Sequence, residues 1–334
     1  MNASDPIFRR QRRQFSFAAI AALGGAAWHK SAQAQAWPSK PITVIVPAGT
    51  GAPIDTVARM LAPAMGAALG QPLVVKNVTG GGGTIGLAEL ARAPKDGHTI
   101  GFISVPLAIT PALYKLPYDT ERDILAVSIL SRATMVVAVN AKVQAGNIKD
   151  LLALAQTRAG AKPVAFGTPA PGSLGHLAFE MLKQETGAPF LHVPYRTNDA
   201  MMAALISGEI DAAIPSLSAT VPLVKSDYVR IVGIASDQRT KAYPAIPTLV
   251  QQGVKTGEYD AWVALIMPSG APQAVVDKIN ATANAAMSDP RVGEKLEGMG
   301  YDTLGTTSAQ AQSVVRRDTA RFAEVIKKNA IKAD

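Results

Sequence analysis

Short apolar segments alternate with stretches of helical periodicity along most of the chain. "ITVIVPAG" is followed by "DTVARMLAPAMGAALG", in which Val57, Leu61, Ala64, Met65 and Ala68 recur at helical spacing and Gly70 stands where a helix should stop. "PLVVKNV" then runs into four consecutive glycines and the helical pattern "LAELARA", and "HTIGFISV" reads as another strand. Strand, helix, strand, helix, strand predicts a parallel sheet whose ligand-facing loops lie at the C-terminal strand ends.

The second half repeats the pattern. "PVAFG" enters the loop "TPAPGS" and then "LGHLAFEMLKQETG", where Leu174, Leu177, Ala178, Met181 and Leu182 form one apolar stripe. "FLHVPY", a helix from about Asn198 to Ser207 closed by Gly208, and the strands "EIDAAI" and "VRIVGIA" follow. "YDAWVALIMP" gives a last extended segment before two helical patterns and a long C-terminal helix ending near Lys332. Two α/β units followed by a return of helices predict two Rossmann-like lobes. The crossings are expected near Val136–Asn140 and Tyr259–Ala264, so that residues 37–138 and 260–334 form domain 1 and residues 139–259 form domain 2.

The N-terminus bears on the compartment. Arg9, Arg10, Arg12 and Arg13 precede the apolar run "FSFAAIAALGGAAW", and Ala34 and Ala36 offer an A-x-A site, so residues 1–36 read as a signal peptide cleaved before Trp37. Arg12-Arg13-Gln14-Phe15 also resembles a twin-arginine export signal, and a general secretory signal fits equally well. Either route leads to the periplasm. Beyond it, no apolar run reaches the roughly 18 to 20 residues that span a bilayer.

Removing residues 1–36, with five Lys/Arg and one Asp, lowers the formal charge from +8 to +4. With 5% aromatic residues and no basic run, nothing here suggests a nucleic-acid partner. The absence of cysteine excludes disulfides, thiolate metal sites and a cysteine nucleophile.

Gly81, Gly83 and Gly86 fit G-x-G-x-x-G, the dinucleotide fingerprint. That reading needs an acidic residue closing the second strand, about 20 residues on, and "GHTIGFISVPLAI" has none. An exported protein also meets no free nicotinamide pool. Two readings remain: a tight turn that lets strand and helix pack closely, or an anion cradle.

The cradle joins this loop to two others, "VPAGTGAPID" and "GTPAPGSLG", both dense in Gly, Pro and Ala between a strand and a helix. Backbone N–H groups at helix starts carry partial positive charge and, beside small side chains, can hold carboxylates without Arg or Lys. Binding at about 1 μM needs roughly 8 kcal/mol, which five or six charge-assisted hydrogen bonds of about 1.5–3 kcal/mol each supply after association costs.

Catalytic readings are weak. Ser173 in "PGSLG" misses the G-x-S-x-G elbow and stands at an N-cap position, with His176 in the same helical turn. His98 and His192 read as isolated, and no cluster has metal-ligand spacing. Asp55, at the start of the first helix, suits the helix dipole as well as it suits a ligand ammonium or hydroxyl group. Arg196 reads as a solvated surface residue.

Together "WPSKPITVIVP", "LGQPLVVKNVTGGGGTIG", "ARAPKDGHTIGF", "PALYKLPYD", "HVPYR", "LISGEID", "AIPTLVQQG" and "APQAVVDKINA" resemble the Bug family, the periplasmic solute-binding proteins of the tripartite tricarboxylate transporter class. The resemblance implies a two-lobed Venus-flytrap of the type II-like periplasmic-binding-protein fold. It also implies a small carboxylate in the interdomain cleft, no catalysis, no cofactor and no metal. By this resemblance the ligand-facing set is Ala48, Gly49, Thr50, Gly51, Ala52 and Asp55 of the first loop, Gly80, Gly81, Gly82 and Gly83 of the second, and Ser104. The facing lobe supplies Thr168, Ser173, His176, Tyr195 and Ser216. Expected partners are membrane transporter subunits, or a sensor kinase if the protein feeds sensing instead, with the chain itself a monomer. The competing class is an exported nicotinamide-dependent oxidoreductase.

Some positions depart from the family pattern. Ala48, Gly49, Thr50, Gly51 and Ala52 stand where an aromatic residue, two prolines and two glycines are usual. Pro169, Pro171, Leu174 and Gly175 replace a serine-rich loop, and Pro215 precedes Ser216 where an Asp is common. The cleft is therefore expected to take a less polar or bulkier carboxylate, aromatic in the extreme case.

Overall fold

The computed structural model describes residues 37–236, 238–240, 243–255 and 258–332; the segment read as a signal peptide lies outside them. In chain order the first part gives β1 (Ile42–Val46), α1 (Pro53–Leu69), β2 (Leu73–Asn77), α2 (Thr84–Arg92), β3 (Thr99–Ser104), α3 (Pro106–Leu113) and β4 (Ile124–Ala133). A second group follows as β5 (Val136–Asn140), α4 (Ile148–Arg158), β6 (Ala165–Thr168), α5 (Leu174–Thr186), β7 (Leu191–Pro194), α6 (Asn198–Ser207), β8 (Ala212–Ala213), α7 (Leu217–Lys225) and β9 (Val229–Ile234). The chain then returns through β10 (Ala261–Pro268), α8 (Gln273–Met287), α9 (Pro290–Gly298), β11 (Tyr301–Thr303) and α10 (Ser308–Lys328).

These strands form two sheets, and the fold is two-lobed and α/β. The first sheet has the order β11-β4-β10-β3-β1-β2 and the second β7-β6-β8-β5-β9. The parallel arrangement predicted from the strand and helix alternation holds for β2-β1-β3. It fails for β10, which runs antiparallel to both β3 and β4, and for β11, antiparallel to β4. The reason is topological: β10 arrives from the second sheet, so it must run away from the ends that β1 and β3 point toward.

Chain passage between the sheets follows from the same pairing. β4 ends at Ala133 and β5 begins at Val136, while Ala261, the first residue of β10, pairs with Ala133. Both passages therefore lie side by side. Buried charge brackets the returning one: Asp318 of α10, fully buried, accepts Trp262 Nε1–H at 2.7 Å and meets Arg317 Nε and Arg321 Nε, each at 3.1 Å. Asp260 accepts Ser236 Oγ–H at 2.7 Å and lies 3.4 Å from Arg132 Nη1. Charges this deep persist only where they are paired.

The local elements follow from sequence chemistry. β1, the middle strand of the parallel trio, buries Ile42, Val44, Ile45 and Val46, as a strand covered on both faces requires. α1 stops at Gly70, whose φ of 76° lets its N–H reach the Gly66 carbonyl. One apolar core runs from Ile45, Leu90 and Ile266 of the first part to Phe166, Phe179 and Phe190 of the second, with Phe322 of α10 contributing, and a further cluster gathers Val136, Met201, Leu205 and Ile231. At roughly 1.5–3 kcal/mol for each buried large apolar side chain, that continuity anchors both sets of loops.

Candidate functional site

The first loop, between β1 and α1, is shaped from beneath by three side chains. The Asp55 carboxylate is 1% exposed and accepts the Gly51 N–H at 2.9 Å, Asn77 Nδ2–H at 2.8 Å and Arg59 Nε–H at 3.0 Å. Asn77 also donates to the Ala48 carbonyl at 2.9 Å and receives Arg59 Nη2–H at 2.8 Å and Thr50 Oγ1–H at 3.3 Å. Burial alone would raise the Asp55 pKa. The hydrogen bonds from Arg59, the Gly51 amide and Asn77, with the guanidinium charge, outweigh it and hold the carboxyl below its ordinary value. Of the two roles that the sequence leaves open for Asp55, this geometry supplies a third, in which the carboxylate fixes the loop.

The second loop is a run of left-handed residues. Gly80, Gly81, Gly82 and Gly83 have φ of 119°, 55°, 62° and 96°, a backbone that side chains other than hydrogen strain, and Gly81–Gly83 close one 3₁₀ turn. Gly86, the last glycine of the G-x-G-x-x-G spacing, packs against the other loop: a Cβ there would stand 2.8 Å from Pro47 Cβ and 2.9 Å from the Val78 carbonyl. The two loops thus meet in one place through Pro47 and Asn77.

Several of their amides are already spent. Gly51 N–H serves Asp55, Ala52 N–H the Gly49 carbonyl at 3.1 Å, and Gly83 N–H the Gly80 carbonyl at 3.0 Å. Among the described residues, that leaves the amides of Gly49, Thr50, Gly80, Gly81 and Gly82, with Ile85 standing beside Gly80 and Tyr114 beside Gly82. Ser104, at the end of β3, donates to the Trp262 carbonyl at 2.7 Å and so ties β3 to the returning strand.

In the second lobe, Thr168, Ser173, His176 and Tyr195 gather around one loop. Ser173 caps α5 by accepting the His176 N–H at 3.3 Å, the bland role expected for it, and donates to the Pro169 carbonyl at 3.2 Å. Tyr195 N–H bonds the Thr168 carbonyl at 2.9 Å; its hydroxyl donates to Glu209 at 2.9 Å, and burial together with that carboxylate pushes the phenol up to about 12. Ser216 caps α7 and meets Ser218 Oγ at 3.2 Å. The lobes approach at Gly172, where a Cβ would come 2.5 Å from Leu113 Cδ1 of α3, and at Gly300, which abuts Ser218.

Two groups escaped the sequence reading. Arg59 and Asn77 are one; their only sequence signal was the i,i+4 spacing of Asp55 and Arg59. The other corrects the expectation of isolated histidines: His176, Glu180 and His192 bring potential ligand atoms within 4.8 Å. Their partners argue against a metal. His176 Nδ1 accepts the Gly172 N–H at 3.1 Å, His192 Nε2 bonds Thr168 Oγ1 at 2.7 Å, and Lys183 Nζ lies 3.2 Å from Glu180 Oε2. A neutral imidazole whose one lone pair already accepts an amide has none left for a cation. α9 adds a further wall, since Lys295 and Met299 border a cavity of about 560 Å³ beside Thr50, Gly51 and Arg59.

Residues 57–331 match the family model described as the tripartite tricarboxylate transporter family receptor. Protein BugT of Bordetella pertussis is 30% identical over 302 residues, covering 90% of this chain and 92% of BugT. A solved structure described as a periplasmic transporter is 33% identical with a TM-score of 0.71, over 90% of this chain and all of that one. Rpa4515 of R. palustris, solved with adipate, is 28% identical with a TM-score of 0.70, over 89% of this chain and 99% of its own.

Proposed function

The chain belongs to the tripartite tricarboxylate transporter receptor family, and we propose that it binds a small carboxylate between its lobes outside the cytoplasm and delivers it to membrane subunits of such a transporter. Residues 1–36 would direct export and be removed. Residues 37–138 with 260–334 would form one lobe and 139–259 the other, closing about the two adjacent passages, with the chain acting as a monomer.

One observation carries this reading. A run of four left-handed glycines meets the first loop, where Gly51 is left-handed; among the described residues their own hydrogen bonds leave the amides of Gly49, Thr50, Gly80, Gly81 and Gly82, and the Arg59 guanidinium is occupied by Asp55 and Asn77. Such amides hold a carboxylate by partial charge and leave the rest of the solute to the facing lobe. There Thr168, Ser173, His176, Tyr195 and Ser216, with Pro169 and Pro171 in the loop, give a wall poor in charge. This favours a less polar or bulkier acid.

Calorimetric titration of the purified protein with adipate, citrate, aspartate and benzoate tests this. Micromolar binding of adipate or benzoate, and none of citrate or aspartate, is the expected result. Binding confined to citrate or aspartate would sink the less-polar preference. A dinucleotide found in the native mass spectrum would overturn the carboxylate reading itself and return the glycine run to its fingerprint role.

A further inference from the structure

The second-lobe loop from Thr168 to Ser173 is held at both ends by imidazoles. Thr168 Oγ1 bonds His192 Nε2 at 2.7 Å at the end of β6, and the Gly172 N–H donates to His176 Nδ1 at 3.1 Å. The two rings face each other with centroids 4.9 Å apart, and His192 also stacks on Phe179 at 5.0 Å. His176 is buried and His192 half-buried. Nothing in the carboxylate reading itself requires this arrangement, since neither nitrogen named here is offered to a solute.

We propose that His176 and His192 are positioning residues for the second-lobe loop, and that protonation of His176 releases the loop and lowers carboxylate affinity in acid. The proposal rests on the carboxylate reading above. Its chemistry is a matter of hydrogen count. Because the Gly172 amide donates, His176 Nδ1 must carry the lone pair and Nε2 the hydrogen. A proton added at Nδ1 would set two N–H groups against each other, and the loop end must then move. A charge on His176 would also face the neighbouring ring of His192.

The charged groups acting on the pair agree with a neutral resting state. Burial lowers both histidines below their ordinary value; Glu180 of α5 favours the proton, Lys183 of the same helix opposes it, and His176 opposes it on His192. Glu180 and Lys183 pair with each other at 3.2 Å, so their effects largely cancel at the rings. The other partners, Thr168 of β6 and Gly172, are uncharged. As the folded state binds this proton less readily than the unfolded chain, the effect is absent at neutral pH and grows as pH falls below the ordinary imidazole value of about 6.5.

The test uses the purified protein, with adipate as probe. Nitrogen-15 spectra of the imidazoles should show His176 as the Nε2–H tautomer at neutral pH, and the Gly172 amide should lose its protection from hydrogen exchange as His176 titrates. Adipate affinity should fall at least about tenfold between about pH 8 and about pH 5. In His176→Asn, where the amide oxygen replaces Nδ1 as acceptor without a titrating charge, the Gly172 amide should keep its protection from exchange in acid and the ratio of adipate affinities between about pH 8 and about pH 5 should collapse to near one, whatever the affinity at neutral pH. His176→Ala, with no acceptor, should bind weakly at every pH. An Nδ1–H tautomer at neutral pH, or an unchanged acid loss in His176→Asn, would overturn the proposal. If the unaltered protein binds no adipate at any pH, the function assigned above has failed for this acid, while the tautomer and the Gly172 exchange still decide the imidazole proposal.

Discussion

Replacing Gly86 with valine is expected to abolish carboxylate binding and to destabilise the protein by about 1–3 kcal/mol, the usual range for overpacking. The Cβ alone would stand 2.8 Å from Pro47 Cβ and 2.9 Å from the Val78 carbonyl, and neither is the free end of a flexible side chain. One is a ring carbon and the other is backbone, so the loop after β1 and the loop before α2 must separate. If two charge-assisted hydrogen bonds to the carboxylate are then lost, at about 1.5–3 kcal/mol each, affinity falls by about a hundredfold to ten-thousandfold. Gly298→Ala is the matched control, because its Cβ would meet nothing within 4 Å, its φ is not left-handed and it lies in α9, outside both loops. Titration and thermal melts of the two variants side by side decide the matter. Near-normal binding by the valine variant would mean that the two loops do not hold the solute jointly.

The same glycine shows what the sequence made legible. The spacing of Gly81, Gly83 and Gly86 matched a dinucleotide fingerprint, and the missing acidic residue at the end of β3 was enough to weaken that reading. The alternative, close packing, is the role that Gly86 takes against Pro47 and Val78. Amphipathic helices with a stop glycine were also readable: α1 ends at Gly70, α5 at Gly187 and α6 at Gly208, each in the left-handed region. What escaped was non-local. β4, Ile124–Ala133, is buried along nearly its whole length and lacks the alternation that marks a half-buried strand, so its pairing with β10 left no period to detect. His176 and His192 lie on different elements, and the pairing of β6 with β7, Phe166 opposite His192, carries the second ring to the helix after β6. No spacing rule encodes such a contact.

The Asp55→Ala variant should lose about 2–4 kcal/mol of stability and most of its carboxylate affinity together. Removing the carboxylate strands the Gly51 amide, the Asn77 amide group and the Arg59 guanidinium at once, and donors left beside a buried position cost more than the bonds were worth. Asp55→Asn should not rescue the loop, because one oxygen becomes an NH₂ that faces donors. The pH dependence has a definite sign. Asp55 is held below its ordinary value in the folded chain, so its contribution is complete above the unfolded value of about 3.9 and is lost as pH falls through the lower, folded value. Unaltered protein should therefore show an acid loss of melting temperature below about pH 4 that Asp55→Ala lacks, whereas the imidazole effect begins at higher pH, below the ordinary imidazole value of about 6.5. A variant that kept its melting temperature but lost affinity would instead make Asp55 a direct ligand contact, the alternative its helix-start position first suggested. In the geometry observed, the carboxylate beneath the first loop and the imidazoles beside the second-lobe loop do equivalent work: each accepts a glycine amide, from Gly51 and from Gly172, and so fixes the backbone of its loop.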